Sequence, residues 1–159
     1  MWFKKKKTAE VAENKIQFTP LKPLDYHPKI IVAWIKAIEG NQEIIKWLKD
    51  NGYEELVVAS SAILLNNDAR DWLMKNGYPH LMAMINASEG IVSAQIWLKK
   101  HKFELLYHIA MAIENEKESW DWISKNATVD IFMLAQTIKR IKDKIEENHN
   151  DIHSFNKDL

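Results

Sequence analysis

The sequence predicts an all-α protein, an α-α solenoid of helix-turn-helix units 25 residues long. Three observations carry that expectation. Trp47, Trp72, Trp97 and Trp122 stand one unit apart, since 72 − 47, 97 − 72 and 122 − 97 are each 25, and self-similarity at such a period marks a stack of supersecondary units. Gly40, Gly52, Gly77 and Gly90 are the only glycines, and each falls where a helix should end, in the left-handed position that glycine takes without a Cβ clash. Apolar residues return at spacings of three and four, as in Leu56, Ala59 and Ile63 or Leu106, Ile109 and Ile113, which is the helical period and not the alternation of a strand.

Residues 1–27 read as an N-terminal arm. Within it Thr8 to Ile16 is expected to form a short capping helix, and Thr19 to Pro28, with Pro20 and Pro23 between, an extended lead-in, because proline fixes its own φ and restricts the residue before it. The helical repeat domain spans 28–148. One helix of 25 residues would run about 37 Å, and the turn signals fall twice per period, so each unit holds two helices. First helices are expected near 28–39, 54–65, 79–88, 104–114 and 129–147, and second helices near 41–51, 68–76, 91–101 and 117–126. Asn66-Asn67-Asp68 and Asn115-Glu116 mark inner turns that lack glycine, with Asp68 the expected N-cap. Residues 149–159 form a weakly patterned tail expected to fray.

Other columns keep the same phase. Leu48, Leu73, Leu98 and Ile123 follow the tryptophans directly; Tyr53, Tyr78 and Phe103 stand six residues on, where Thr128 breaks the rule; Leu56, Leu81, Leu106 and Ile131 stand nine on. Recurrence at one phase of a stacking unit is what burial demands. The four tryptophans are therefore expected to line the interior, with Trp97→Ala costing about 3–5 kcal/mol. Trp34 and Trp120 lie outside that phase, and Trp120 shares a column with Ile45, Arg70 and Gln95, whose mixed polarity predicts partial exposure. Units that bury faces only against neighbours are expected to stack into a short rod or arc.

Gly40-Asn41-Gln42-Glu43-Ile44-Ile45-Lys46-Trp47-Leu48-Lys49-Asp50-Asn51-Gly52 resembles the inner turn and second helix of an ankyrin unit, with its opening glycine, acidic residue, branched apolar pair and closing glycine. Ankyrin units run about 33 residues, and the roughly eight missing here correspond to the β-hairpin. Thr19-Pro20-Leu21 resembles the family's opening signature but lies too far before Gly40 for that role. The resemblance implies ankyrin-like stacking without hairpins and, on the concave side, protein binding.

Composition narrows the function classes. Basic and acidic side chains number 22 each, so no global field draws in nucleic acid or an anionic bilayer. The one local excess is Lys4, Lys5, Lys6 and Lys7. Behind Trp2 and Phe3 these give an alternative reading, a peripheral adaptor whose arm rests on a membrane surface. The chain has no cysteine, which removes disulfides and thiolate chemistry and fits a reducing compartment; without a secretory or membrane-spanning stretch, a cytoplasmic location is expected. Glu104 and His108, with His101 a turn back, and His149 and His153 around Asp151 are the only spacings with a metal-ligand flavour. Both lack a partner cluster, so no metal and no cofactor are expected. No glycine-rich phosphate loop or nucleophile elbow is present, which leaves an enzyme with an unrecognised site as a further alternative.

The leading expectation is a non-enzymatic protein-interaction module, its partner a protein or a second copy of the chain. Positions one, two and five residues past the core leucine of each first helix lie about 100°, 200° and 140° around the helix, away from the core. They hold Val57 and Val58, Met82 and Ala83, Tyr107 and His108, Phe132 and Met133, with Ser61, Asn86, Met111 and Gln136. A strip of methionine and aromatic side chains is the composition of an interaction surface. The candidate binding residues are thus Met82, Tyr107, His108, Met111, Phe132, Met133 and Trp120.

Overall fold

A computed structural model describes residues 24–155, with side chains to residue 150. Nine α-helices occupy that span and no strand occurs among the described residues: α1 Pro28–Ile38, α2 Gln42–Asp50, α3 Glu54–Ile63, α4 Asn67–Lys75, α5 Pro79–Ser88, α6 Val92–Lys100, α7 Glu104–Ile113, α8 Lys117–Asn126 and α9 Val129–Phe155. The arm's expected helix and most of its lead-in lie outside the described residues. α9 continues through Phe155, into the stretch where the weak pattern predicts fraying.

What spaces the helices is their way of ending. Gly40, Gly52, Leu65, Gly77, Gly90, Lys102 and Asn115 all have φ between 61° and 91°. After each of them the next N–H reaches back five residues. Tyr53, Tyr78 and Phe103 donate to the carbonyls of Leu48, Leu73 and Leu98, and Asn41, Asn66, Ile91 and Glu116 to those of Lys36, Ser61, Asn86 and Met111, at 2.8–3.1 Å. This closure satisfies carbonyls that a helix end would leave orphaned. Leu65 and Lys102 adopt it at a cost of roughly 1–2 kcal/mol each, so the turn is imposed by its surroundings and not by glycine alone. Asn66, and not Asp68, caps α4, its Oδ1 accepting the Ala69 N–H at 2.9 Å.

The same motif corrects the reading of the tryptophans. A helix closed in this way sets the side chain two residues past its cap against one a turn inside it, and those two positions are the paired aromatics. Trp47 stacks on Tyr53, Trp72 on Tyr78 and Trp97 on Phe103, with centroids 5.7–6.3 Å apart and planes within 16°. Trp47 is 45% exposed, and Trp72, Trp97 and Trp122 are half-buried. The column that lines the interior is its neighbour, Leu48, Leu73, Leu98 and Ile123, all at 0%. α8 ends without a left-handed residue, Ala127 being extended, and with Thr128 in place of an aromatic Trp122 stacks on His108 instead.

The first helices form the centre. Ile31, Leu56, Leu81 and Leu106 are wholly buried, and so, one turn on, are Trp34, Ala59, Met84, Ile109 and Leu134. Trp34 thus belongs to a core column although it stands outside the tryptophan phase. Its Nε1 donates to Ser60 Oγ at 3.1 Å, and Ser60 donates to the Leu56 carbonyl, the partner a buried indole needs. Successive first helices pack on one another, and α9 packs against both α7 and α1, so the expected open arc is replaced by a closed one. Such helices are apolar on two sides, and an open row would leave one bare at each end. Ile31, Ile35 and Ile38 of α1 and Leu134 and Ile138 of α9 join a single buried cluster. On the rim, Arg140 of α9 pairs with Glu39 after α1 at 3.6 Å and Lys142 with Glu114 after α7 at 2.6 Å.

Two predictions follow from this burial. Leu98→Ala should cost about 2–5 kcal/mol, whereas Trp47→Ala should cost about 1 kcal/mol because half of the indole already meets water. Urea midpoints in the reverse order would refute the assignment of the core column. His80 on α5 is buried between Tyr78 and Phe103, and its Nδ1 has no hydrogen-bond partner. Burial pushes its pKa from 6.5 down to about 4. The unfolded chain binds a proton that the folded chain refuses, so its contribution is whole above pH 6.5 and lost as the pH falls toward 4, on the order of 2 kcal/mol. His80→Leu, which installs the residue that Leu105 supplies one unit later, should flatten that part of the stability profile in urea melts at pH 7 and pH 4.5.

Candidate partner-binding surface

Several far-face positions of the first helices line depressions alongside the second helices, three of which bear on the candidate residues. One, of about 310 Å³, lies against Met74, Pro79, Met82, Ala83, Asn86, Ile91, Ser93, Ala94 and Trp97. Advancing Met74, Pro79, Met82, Ala83, Ile91, Ser93 and Ala94 by one unit gives Lys99, Glu104, Tyr107, His108, Glu116, Glu118 and Ser119, and these, with Lys102, line the second, of about 610 Å³. The third, of about 750 Å³, lies between α8 and α9, with Trp120, Ser124, Phe132 and Gln136 meeting Lys139, Arg140 and Asp143. Ser124 and Phe132 are again the equivalents of Lys99 and Tyr107.

The candidate residues divide accordingly. Tyr107, His108, Met111, Phe132 and Trp120 are half-buried and Met133 is exposed. Trp120 and Phe132 meet edge to face at 5.3 Å, so Trp120 is partly open and also covers the end of the row. Met82 departs from expectation. It is 4% exposed, although Tyr107 at the equivalent position of the next unit is half-buried, and it forms a floor. Trp2, Phe3, Lys4, Lys5, Lys6 and Lys7 lie outside the described residues.

The middle depression holds the densest chemistry. Ser119 is wholly buried. Its hydroxyl donates to Glu116 Oε2 at 2.7 Å and stands 3.0 Å from His108 Nδ1. A hydroxyl has one proton. With that proton on Glu116, Nδ1 must carry the ring hydrogen and donate to Ser119, which leaves Nε2 of the neutral ring as an acceptor. Burial holds the His108 pKa below the ordinary histidine value; the nearby Lys99 adds to this, and Glu104 and Glu116 oppose it. Trp122 stacks on the imidazole at 4.2 Å, and the Lys99 ammonium sits 4.6 Å above the Tyr107 ring, a cation–π placement. The two preceding units carry Ala83, Ala94 and Ile91, and Val58, Ala69 and Asn66, at the positions of His108, Ser119 and Glu116. The fold therefore does not require this network.

The first of the two metal-ligand spacings does not assemble into a cluster. His101 stacks on Trp97 at 4.2 Å and Glu104 reaches His108 only through charge. Among the described residues no group of three or more histidine and acidic side chains is placed to hold a metal ion, His149 is exposed, and the side chain of His153 lies outside the description. No helix among them is long and apolar enough to cross a membrane.

A further exposed apolar group lies off the far face of the first helices. Met74, Ile91, Val92 and Ile96 are exposed on α4 and α6. The sequence signals them once units are aligned: the positions of Val92 and Ile96 hold Gln42, Asn67 and Lys117, and Lys46, Asp71 and Asp121, elsewhere.

No family model matches the chain, and no curated protein and no solved structure matches it either.

The hydrogen-bond count fixes a testable tautomer. Long-range proton–nitrogen NMR on the neutral ring should find His108 protonated at Nδ1, and Ser119→Ala should shift it toward the Nε2–H form. An Nε2–H ring in the unmodified protein would overturn the network's polarity.

Proposed function

We propose that the protein is a non-enzymatic protein-interaction module, an ankyrin-like α-α solenoid of shortened units curled end to end, in which the row of depressions alongside the second helices receives a segment of a partner. The observation that carries this reading is their register. Two of the three depressions use seven equivalent positions, one lined mainly by apolar side chains and the next by polar and charged ones. A scaffold that holds a shape constant while changing its lining suits a surface that reads successive side chains of a partner, as extended repeat surfaces do. Tyr107, Phe132 and Trp120, with Met111 and Met133 on the same face, supply the aromatic and methionine contacts typical of interface cores; Met82 floors the neighbouring depression, and His108 offers an acceptor.

The test compares the wild type with a Tyr107→Asp, Phe132→Asp variant whose circular dichroism and urea midpoint show that it still folds. Affinity capture from the native cells should retain species with the wild type that the variant loses. Identical profiles would sink the reading.

A further inference from the structure

α6 differs from the other second helices in two ways at once. α2, α4 and α8 each carry two acidic residues against two basic ones: Glu43 and Asp50 with Lys46 and Lys49, Asp68 and Asp71 with Arg70 and Lys75, Glu118 and Asp121 with Lys117 and Lys125. α6 has no acidic residue and ends in Lys99 and Lys100, with Lys102 in the following turn; all three lysines are exposed. Its outward positions are also apolar where the fold elsewhere puts polar side chains, Val92 being 62% and Ile96 60% exposed. Val92, Ile96 and Lys100 follow one another at four-residue steps, so they form a single stripe about 12 Å long. Beside it opens the depression walled by Met74 and Trp97 and floored by Met82.

We propose that α6 is the docking face for an acidic amphipathic segment of a partner protein. Its apolar side chains cover Val92 and Ile96 and enter the depression beside Trp97, and its carboxylates meet Lys99, Lys100 and Lys102. The assignment rests on the interaction-module reading and adds the chemistry of the partner. Charge complementarity selects an acidic occupant. The recess selects a protein over a bilayer, because a lipid surface covers what protrudes whereas a hollow needs a side chain to fill it.

The repeat itself supplies variants that the fold tolerates. Val92→Gln with Ile96→Lys installs the residues of α2 at the same positions, Gln42 and Lys46, and Lys100→Asp installs that of Asp50. The probe is a fluorescein-labelled helical peptide with leucine and phenylalanine on one face and glutamate flanking them, followed by anisotropy on the full chain. A control peptide replaces every glutamate by lysine. The acidic peptide should bind, with affinity falling at least about tenfold in the double variant, falling in Lys100→Asp, and weakening with salt; the lysine peptide should not bind. Equal binding of the two peptides, or no loss in the double variant, overturns the proposal. So does wild-type sedimentation with phosphatidylserine vesicles that the double variant loses, which would assign the face to a membrane, or a dimer abolished by the same substitutions, which would assign it to a second copy. If the acidic peptide fails while captured species still depend on Tyr107 and Phe132, the module reading stands and the assignment of α6 falls.

Discussion

A backbone hydrogen bond from the residue after a left-handed position to a carbonyl five residues back ends each of the first seven helices, and the rest of the architecture depends on it. The left-handed residues run 40, 52, 65, 77, 90, 102 and 115, so the steps between them alternate between 12 and 13 and sum to the period. The bond satisfies carbonyls that would otherwise be buried without partners, a cost of about 1–3 kcal/mol per group, and it fixes the direction in which the chain leaves the helix. Because the direction is set by the backbone, Leu65 and Lys102 can stand where glycine stands elsewhere.

Regular turns place equivalent side chains at equivalent points. The leucine column of the second helices and two columns of the first helices are buried throughout, with size exchanged between units, as where Trp34 faces the position that Ala59 and Met84 hold later. Stacked aromatic plates clamp the turns after α2, α4 and α6. Since every first helix is apolar on two sides, the row is complete only when its ends meet, and α9 against α1 supplies that contact. Contact between the first and last first helices covers the faces that an open stack would protect with polar caps.

Invariance of the scaffold makes departures from it informative. At the positions of His108 and Ser119 the network replaces small or apolar residues, and Val92 and Ile96 replace polar ones. Neither change improves packing, since the other units fold without the first and expose their polar residues where α6 exposes apolar ones. The surface departs from the rule of its own repeat in two adjoining places, one gaining hydrogen-bond groups and the other apolar area and positive charge.

The sequence by itself determined the helical class, the period and nearly every helix boundary, because glycine, asparagine and proline act through local sterics and hydrogen bonds that a linear pattern records. It also placed Tyr107, Met111 and Phe132 correctly on a half-open face, since the angular position of a residue on a helix follows from its number. Which of two adjacent repeating columns points inward was not legible: Trp47 and Leu48 recur equally, and only the path of the turn shows that the tryptophan clamps the outside while the leucine enters the core. The burial of Met82, the meeting of α9 with α1 and the convergence of Ser119 with His108 were likewise decided by tertiary structure. Each depends on how far successive units rotate, a geometric sum over many small packing angles that no single residue encodes.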